Sequence, residues 1–238
     1  MATYQPTGRA FGRALRTAAD LGISSNLSTR SAFWPIAGWR GAIKRAFDIV
    51  FALLGLIVLG VPMLVVVAII RLETPGPALF RQRRIGFANV GFEMWKFRTM
   101  RQQTARPAGL VQATRRDTRV TRFGAILRRT SFDEMPQLFN VLRGDMSLVG
   151  PRPHAPGTCA GGTPFELVTP HYPARHRVRP GVTGLAQVRG WRGETESEEK
   201  LLRRLECDLE YIATWSLWQD AVILVRTVAP VLAMHNAY

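Results

Sequence analysis

Two adjacent carboxylates stand out because basic segments flank them on both sides. Asp133 and Glu134 belong to the stretch 131–140, which reads Ser-Phe-Asp-Glu-Met-Pro-Gln-Leu-Phe-Asn. Paired carboxylates in cationic surroundings can carry nucleophilic catalysis. The same spacing has a structural interpretation, because Ser131 and Glu134 form a capping box and acids in a first helical turn favour the macrodipole. The spacing by itself leaves catalysis and helix capping both open.

Other motifs that would indicate a reaction class are missing from the sequence. It contains no G-x-x-x-x-G-K-S/T phosphate loop, and no G-x-G-x-x-G follows a strand pattern. Its two cysteines exclude a disulfide scaffold and a four-cysteine zinc site. The histidines lack the spacing of a metal site: His154, His171, His176 and His235. The two carboxylates are therefore the main candidates for chemistry.

The composition predicts an ordered and strongly basic protein. With 238 residues and 47% apolar residues, the chain can form one domain with a hydrophobic core. Its 32 Lys and Arg exceed its 17 Asp and Glu by 15 charges, which points to an anionic partner such as nucleic acid, a membrane surface or a phosphorylated substrate. Residues 81–129 are especially basic and suit anionic lipid or a diphosphate, although a solvated basic face is the alternative.

An apolar run over residues 47–70 contains Asp48 as its only charged residue. This length suits a membrane-embedded helix. Two features argue against a simple span: Pro62 interrupts the run, and basic residues flank both ends, whereas a single span shows a Lys/Arg bias toward one side. We therefore predict a helix-break-helix that dips into one leaflet and returns, with a simple transmembrane span as the alternative.

This apolar segment divides the chain into three parts. Residues 1–43 are predicted to form a basic mobile tail, and an organellar transit peptide is the alternative for residues 1–31. Residues 44–72 form the predicted re-entrant membrane helix, and residues 73–238 the predicted cytosolic catalytic domain.

Three segments of the catalytic domain have a distinctive composition. Residues 155–170 are rich in Gly and Pro, which predicts a flexible loop. Residues 194–212 carry leucines at helical spacing, which predicts an amphipathic helix. Residues 215–234 are apolar but interrupted by polar residues, so we expect them to pack or to lie at the membrane interface, where Trp215 and Trp218 would be suitable anchors.

Several short segments around the two acids form a recognisable set. They are Lys44–Asp48, Pro75–Gly86, Lys96–Met100, Ser131–Asn140, Gly144–Pro153 and Val178–Gly184. In this order they closely resemble the motifs of the bacterial sugar transferases, which are monotopic polyprenyl-phosphate phosphoglycosyl transferases. The resemblance covers roughly residues 44–228.

The resemblance implies an α/β fold that is mainly helical. It consists of one re-entrant membrane helix and a small cytosolic catalytic domain with amphipathic helices that lie at the interface. The family breaks its membrane helix at a Ser-Pro pair; here Pro62 is kept and the serine is replaced by Val61. The implied location is the bacterial inner membrane, with the catalytic domain on the cytoplasmic face.

The resemblance also implies a reaction and the residues that perform it. A sugar 1-phosphate passes from a UDP-sugar to undecaprenyl phosphate with release of UMP, in a ping-pong mechanism through an aspartyl-phosphosugar intermediate. Asp133 matches the nucleophile of the family, and Glu134 matches the residue that binds the Mg²⁺ cofactor. Lys96, Arg128 and Arg152 match basic positions of the active site that bind substrate.

The later motifs narrow the expected substrate. Residues 191–195, 208–212 and 215–218 look more like hexose-1-phosphate transferases that begin exopolysaccharide repeats, which favours glucose or galactose. Nucleic acid is not an expected partner, and a homo-oligomer is left open. The rival hypothesis is a non-catalytic, membrane-anchored basic protein that binds nucleic acid or acidic lipid. A polytopic phosphoglycosyl transferase is excluded because one embedded segment is too few.

Overall fold

The computed structural model describes residue 36, residues 38–101 and residues 117–232. Most of the predicted tail and part of the basic stretch 81–129 lie outside the described residues. The helices are α1 (Gly38–Glu73), α2 (Arg122–Arg129), α3 (Gln137–Arg143), α4 (Phe165–Val168), α5 (Leu185–Val188), α6 (Glu198–Thr214) and α7 (Leu217–Leu232). The strands are β1 (Leu79–Ile85), β2 (Gly91–Phe97), β3 (Ser147–Val149), β4 (Cys159–Ala160), β5 (Thr163–Pro164) and β6 (Gly181–Thr183). This mixture confirms the predicted α/β, mainly helical composition.

Helix α1 is the one described helix that is long and apolar enough to cross a membrane by length and composition. A single stripe of it packs against the rest of the protein: Lys44, Asp48, Ala52, Met63, Val66 and Ile70. The opposite face carries exposed apolar side chains, among them Ile57, Val58, Val61 and Leu64. The helix thus has one face packed on the rest of the protein and one apolar face with no protein cover among the described residues.

The predicted break at Pro62 does not divide the apolar segment into two separate helices. Pro62 lies inside α1, and helical structure continues on both sides of it. Proline removes one backbone donor and crowds the preceding turn, but the hydrogen bonds of the turns on either side remain. A long helix with a packed stripe therefore accommodates this proline. The helix also begins before residue 44, where the sequence places its start.

Strands β1 and β2 form an antiparallel hairpin whose register runs from Leu79 opposite Phe97 to Ile85 opposite Gly91. Strand β3 pairs in parallel with β6. The turns that follow these two short strands approach so closely that a Cβ on Gly184 would lie 2.2 Å from the carbonyl oxygen of Gly150. Glycine is therefore required at this contact, which fixes the chain just before the Pro-Arg-Pro segment.

The segment 155–170 differs from the predicted flexible loop. It contains the β4–β5 hairpin and the short helix α4, and Phe165 is buried in a cluster with Tyr172, Leu201 and Leu205. The Gly and Pro content predicted a loop, but one well-placed aromatic residue buries enough apolar surface against α6 to order the segment.

The predicted amphipathic helix is confirmed as α6, which begins at Glu198 after its N-cap Ser197. Its leucine face packs inward. The two tryptophans expected at the interface behave differently. Trp218 is exposed, whereas Trp215 is buried and donates its indole N–H to Asp220 Oδ2 at 3.1 Å. The prediction was wrong for Trp215 because its polar nitrogen finds a buried acceptor on the next helix.

Candidate active site

The two acids lie in a short 3₁₀ turn, Phe132–Glu134, between α2 and α3. Ser131 precedes this turn with a positive φ of 56°, and its side chain makes no capping hydrogen bond. A capping box would direct the Glu134 carboxylate back to the Ser131 backbone. That carboxylate instead meets two cations from other elements, so the helix-capping interpretation of the pair is wrong.

Glu134 is the centre of a small ion cluster. Lys96 Nζ donates to its Oε1 at 2.7 Å, and Arg152 Nη1 donates to its Oε2 at 3.0 Å. A second bond runs from Arg152 Nη2 to Oε1, so the guanidinium is bidentate. Burial opposes ionisation, yet the charges of Arg152 and Lys96 outweigh it and hold the pKa of Glu134 well below its usual range. Glu134 is therefore a fixed negative charge.

Asp133 lies beside this cluster in a different electrostatic state. Only 7% of the residue is exposed. Burial, the largest cause, raises the pKa of Asp133 to about 6, and the neighbouring Glu134 charge acts in the same direction. Three cations oppose this rise: Lys96, Arg152 and Arg128. The carboxylate is thus ionised at neutral pH but weakly stabilised, as suits a nucleophile.

The structure brings the basic residues of the sequence prediction to the two acids from separate elements. Lys96 comes from β2, Arg152 follows β3, and Arg128 lies in the last turn of α2. Arg128 acts on Asp133 through its charge, whereas Lys96 and Arg152 also bond directly to Glu134. Pro62, on α1, is placed in the membrane segment and not in this cluster.

Asn140 connects two of these elements, and sequence reasoning gave it no role of its own. The side chain is fully buried on α3. The Trp95 backbone N–H donates to Asn140 Oδ1 at 3.0 Å, and Asn140 Nδ2 donates to the Glu93 carbonyl at 2.6 Å. These bonds fix β2, and with it Lys96, against the helix that follows the two acids. Its place in the segment 131–140 was the available signal.

Comparison with known proteins places this geometry in a family. A family model described as bacterial sugar transferase matches residues 39–234. The chain belongs to the bacterial sugar transferases. The match extends over the membrane helix, the ion cluster and the C-terminal helices, so it confirms the family recognised from the motifs. The transferase is accordingly an enzyme of the phosphoglycosyl transferase type.

Named relatives agree with this assignment. The transferase is 49% identical to the UDP-glucose:undecaprenyl-phosphate glucose-1-phosphate transferase of Caulobacter vibrioides, over 98% of this chain and 86% of the relative. It is 45% identical to the protein of the same name from Escherichia coli, over 86% of this chain and 43% of the relative. It is 47% identical to the exopolysaccharide production protein PSS of Rhizobium leguminosarum, over 82% of this chain and 98% of the relative.

A divalent cation fits the transferase only together with a substrate. Among the described residues, no three His, Cys, Asp or Glu side chains gather into a metal site. Mg²⁺, however, is usually held by one or two carboxylates and the phosphates of a substrate. A carboxylate offers about four acceptor positions, of which Glu134 uses three for its two cations. Glu134 and the adjacent Asp133 therefore suffice for such a shared site.

Both ends of α1 are tied to the domain that carries the cluster. Near the start, Lys44 Nζ lies 2.9 Å from Asp48 Oδ1 and 2.9 Å from Asp220 Oδ2. Beyond the end, Arg98 donates to the Thr74 and Pro75 carbonyl oxygens, each at 2.7 Å. Helix α1 and the ion cluster thus belong to one packed unit.

Proposed function

We propose that the transferase moves a hexose 1-phosphate from a UDP-sugar to undecaprenyl phosphate, with release of UMP, as the first membrane step of exopolysaccharide or other glycan assembly. Glucose is the expected hexose because it is the sugar named for the Caulobacter vibrioides and Escherichia coli relatives. The observation that carries the proposal is the buried Asp133 carboxylate beside Glu134 and its two bound cations.

The reaction would proceed in two displacements at phosphorus. In the first, an Asp133 carboxylate oxygen attacks the phosphorus that bears the sugar, the bond to the UMP oxygen breaks, and an acyl phosphate forms. In the second, an oxygen of undecaprenyl phosphate attacks the same phosphorus. The bond between that phosphorus and the Asp133 oxygen breaks, and the carboxylate is restored. This division suits a soluble donor and a lipid acceptor, which need not be bound at the same time.

The cations have a clear task in both steps. Phosphoryl transfer spreads negative charge over the oxygens around phosphorus, and fixed positive groups stabilise that charge without reorganisation. Lys96 and Arg152 are already held in place by Glu134. Arg128 adds a third positive charge near Asp133. We expect these three residues to bind the diphosphate of the donor.

Mg²⁺ is part of this proposal as a cofactor. Glu134 is the residue that would hold it, with the donor phosphates as further ligands. When bound, it would neutralise charge on the diphosphate and on the leaving UMP.

We also propose that α1 is embedded in the cytoplasmic leaflet of the inner membrane and bends at Pro62, so that both of its ends lie at the cytoplasmic face. If α1 were a straight spanning helix, Lys44 and Ile70 would be about 39 Å apart, more than the roughly 30 Å of a hydrocarbon core. In a spanning helix they would lie near opposite surfaces. Both instead pack on the same catalytic domain, which supports a helix embedded on one side through its exposed apolar face.

Cysteine labelling tests this topology. Trp39→Cys and Leu72→Cys each place a thiol at an exposed position near one end of α1, in a background where Cys159 and Cys207 are serine. We expect an impermeant reagent to label both positions from the same face of membrane vesicles. Labelling from opposite faces would show a span and overturn this topology.

The reaction itself is tested by UMP release from purified protein in detergent, with Mg²⁺ and undecaprenyl phosphate. UDP-glucose and UDP-galactose are compared, and Asp133→Asn is the inactive variant. Glu93→Gln, which alters an exposed carboxylate on β2, is the matched active control. UMP release from UDP-galactose but not from UDP-glucose would show that the transferred hexose is galactose. If no UMP were released from any of a broad panel of sugar nucleotides, the transfer reaction would be rejected and the non-catalytic binding protein would be favoured.

A further inference from the structure

A buried polar cluster contacts the backbone of Arg152. It contains Tyr172, Arg175 and His154, all at least nine-tenths buried. Arg175 Nη2 donates to the backbone carbonyl of Arg152 at 2.7 Å, and Arg175 Nη1 donates to the Tyr172 hydroxyl at 2.7 Å. The cluster is therefore bonded to the main chain of the residue whose guanidinium meets the catalytic acids.

The hydrogen-bond directions in this cluster are determined by its chemistry. A guanidinium can only donate, so the Tyr172 oxygen accepts from Arg175 and must use its own proton toward His154 Nδ1, 3.0 Å away. His154 then carries its proton on Nε2 and donates it to Glu166 Oε1 at 3.0 Å. The result is a series of hydrogen bonds in which Arg175 donates to Tyr172, Tyr172 donates to His154, and His154 donates to Glu166.

The charge states agree with this single arrangement. Burial, assisted by the Arg175 charge, lowers the pKa of His154 to about 4, and burial raises the pKa of Tyr172 to about 12. Arg175 is balanced by Asp208, whose Oδ2 lies 2.8 Å from Nη2. His154 therefore stays neutral and Tyr172 keeps its proton over the neutral pH range, which is consistent with the single set of hydrogen-bond directions given above.

The buried cluster restrains the backbone around Arg152 at two points. Arg175 binds its carbonyl, and the chain two residues later is held by the His154 side chain. Pro151 and Pro153 restrict the backbone on either side. The Arg152 side chain itself is 38% exposed, so its own surroundings confine it less than those of Lys96, at 16%, confine that lysine. The Arg152 guanidinium is therefore fixed by two sets of bonds: its own bonds to Glu134, and the bond from Arg175 that holds its backbone.

We propose that Tyr172 and Arg175 are positioning residues that hold Arg152 in the place where it meets Glu134 and the phosphates of the donor. The role in turnover rests on the proposed transfer reaction. Small displacements of a catalytic group can reduce the rate by large factors. A hydroxyl that never touches the substrate can thus affect catalysis through Arg152.

Tyr172→Phe is the variant that tests the proposal, because it keeps the buried ring and removes only the hydroxyl. We expect kcat for UMP release to fall about tenfold with little change in KM for the donor. In an Arg152→Ala background the same change should alter kcat less than about twofold, because the cationic side chain that Tyr172 positions is already gone. Equal losses in both backgrounds would mean a merely structural role and would overturn the proposal.

Tyr211→Phe is the matched control, since Tyr211 is another buried tyrosine with two hydrogen bonds, to Val149 and Asp220, and none to Arg175. We expect its effect to be the same in both Arg152 backgrounds. An effect that depends on Arg152 to the same extent would indicate general loosening and would count against Tyr172 as a specific positioning residue.

Hydrogen exchange gives a readout that does not require turnover. In protein without substrate, Tyr172→Phe should speed exchange in the segment 150–154, and Tyr211→Phe should do so less. If the wild-type protein is inactive with every donor, the transfer reaction is rejected while exchange still decides whether the cluster holds Arg152. Unchanged exchange in Tyr172→Phe would overturn the positioning role even in an active enzyme.

Discussion

The elevated pKa of Asp133 has a consequence for stability as well as for catalysis. Its carboxyl group is almost fully buried, and burial followed by the Glu134 charge outweighs the surrounding cations, which leaves the pKa at about 6 against a reference value of 3.8. The ionised form is therefore less stable in the folded protein than in the unfolded chain. Asp133→Asn removes the charge and retains nearly the same shape, so it should stabilise the protein while it abolishes turnover.

The size and the pH range of this effect follow from the two pKa values. A difference of about two pKa units corresponds to about 3 kcal/mol. Because the folded-state pKa is the higher one, the favourable contribution is complete below about pH 4 and is lost as the pH rises through about 6. Asp133→Asn undergoes no such loss. We expect similar stability near pH 4 and a variant that is more stable by up to about 3 kcal/mol at about pH 7.5.

Denaturant unfolding of detergent-solubilised, chelator-treated protein at these two pH values measures the difference, and UMP release at the higher pH measures turnover. Glu93→Gln should behave like wild type in both assays because its side chain is exposed. A variant that is less stable than wild type at about pH 7.5, or a gap that does not depend on pH, would refute the electrostatic reasoning. Retained turnover would refute the role of Asp133 as nucleophile.

Three further substitutions test the packing around the site. Glu134→Gln should lower stability by about 1–3 kcal/mol, because it leaves two cations without their shared anion, and should reduce UMP release at least about 100-fold; unchanged activity would contradict its role. Lys44→Met removes the cation that the buried carboxylates of Asp48 and Asp220 share, so the free energy of unfolding should fall by about 3–5 kcal/mol. A variant as stable as wild type would argue that this ion pair does not anchor α1. Gly184→Ala drives a Cβ against the Gly150 carbonyl and should cost about 1–3 kcal/mol or more; wild-type unfolding would show that the turn can relax.

Local features of this protein could be predicted from the sequence. The apolar run over residues 47–70 predicts a long apolar helix by length and hydropathy alone, and the leucine spacing before Thr214 predicts α6, because both signals lie within one element. The motif around Asp133 identified the two acids and the family, and the structure brings Lys96 and Arg152 to them as expected.

The tertiary structure decided what depends on residues far apart in the chain. Only packing showed that Glu134 faces cations from β2 and from the segment after β3, and so is not a helix cap. Packing also buried Trp215 but exposed Trp218, and ordered residues 155–170 around Phe165. The support of Arg152 by Arg175 had no signal in spacing or periodicity. Such contacts arise when separate elements share one core, and a local pattern carries no information about which elements will meet.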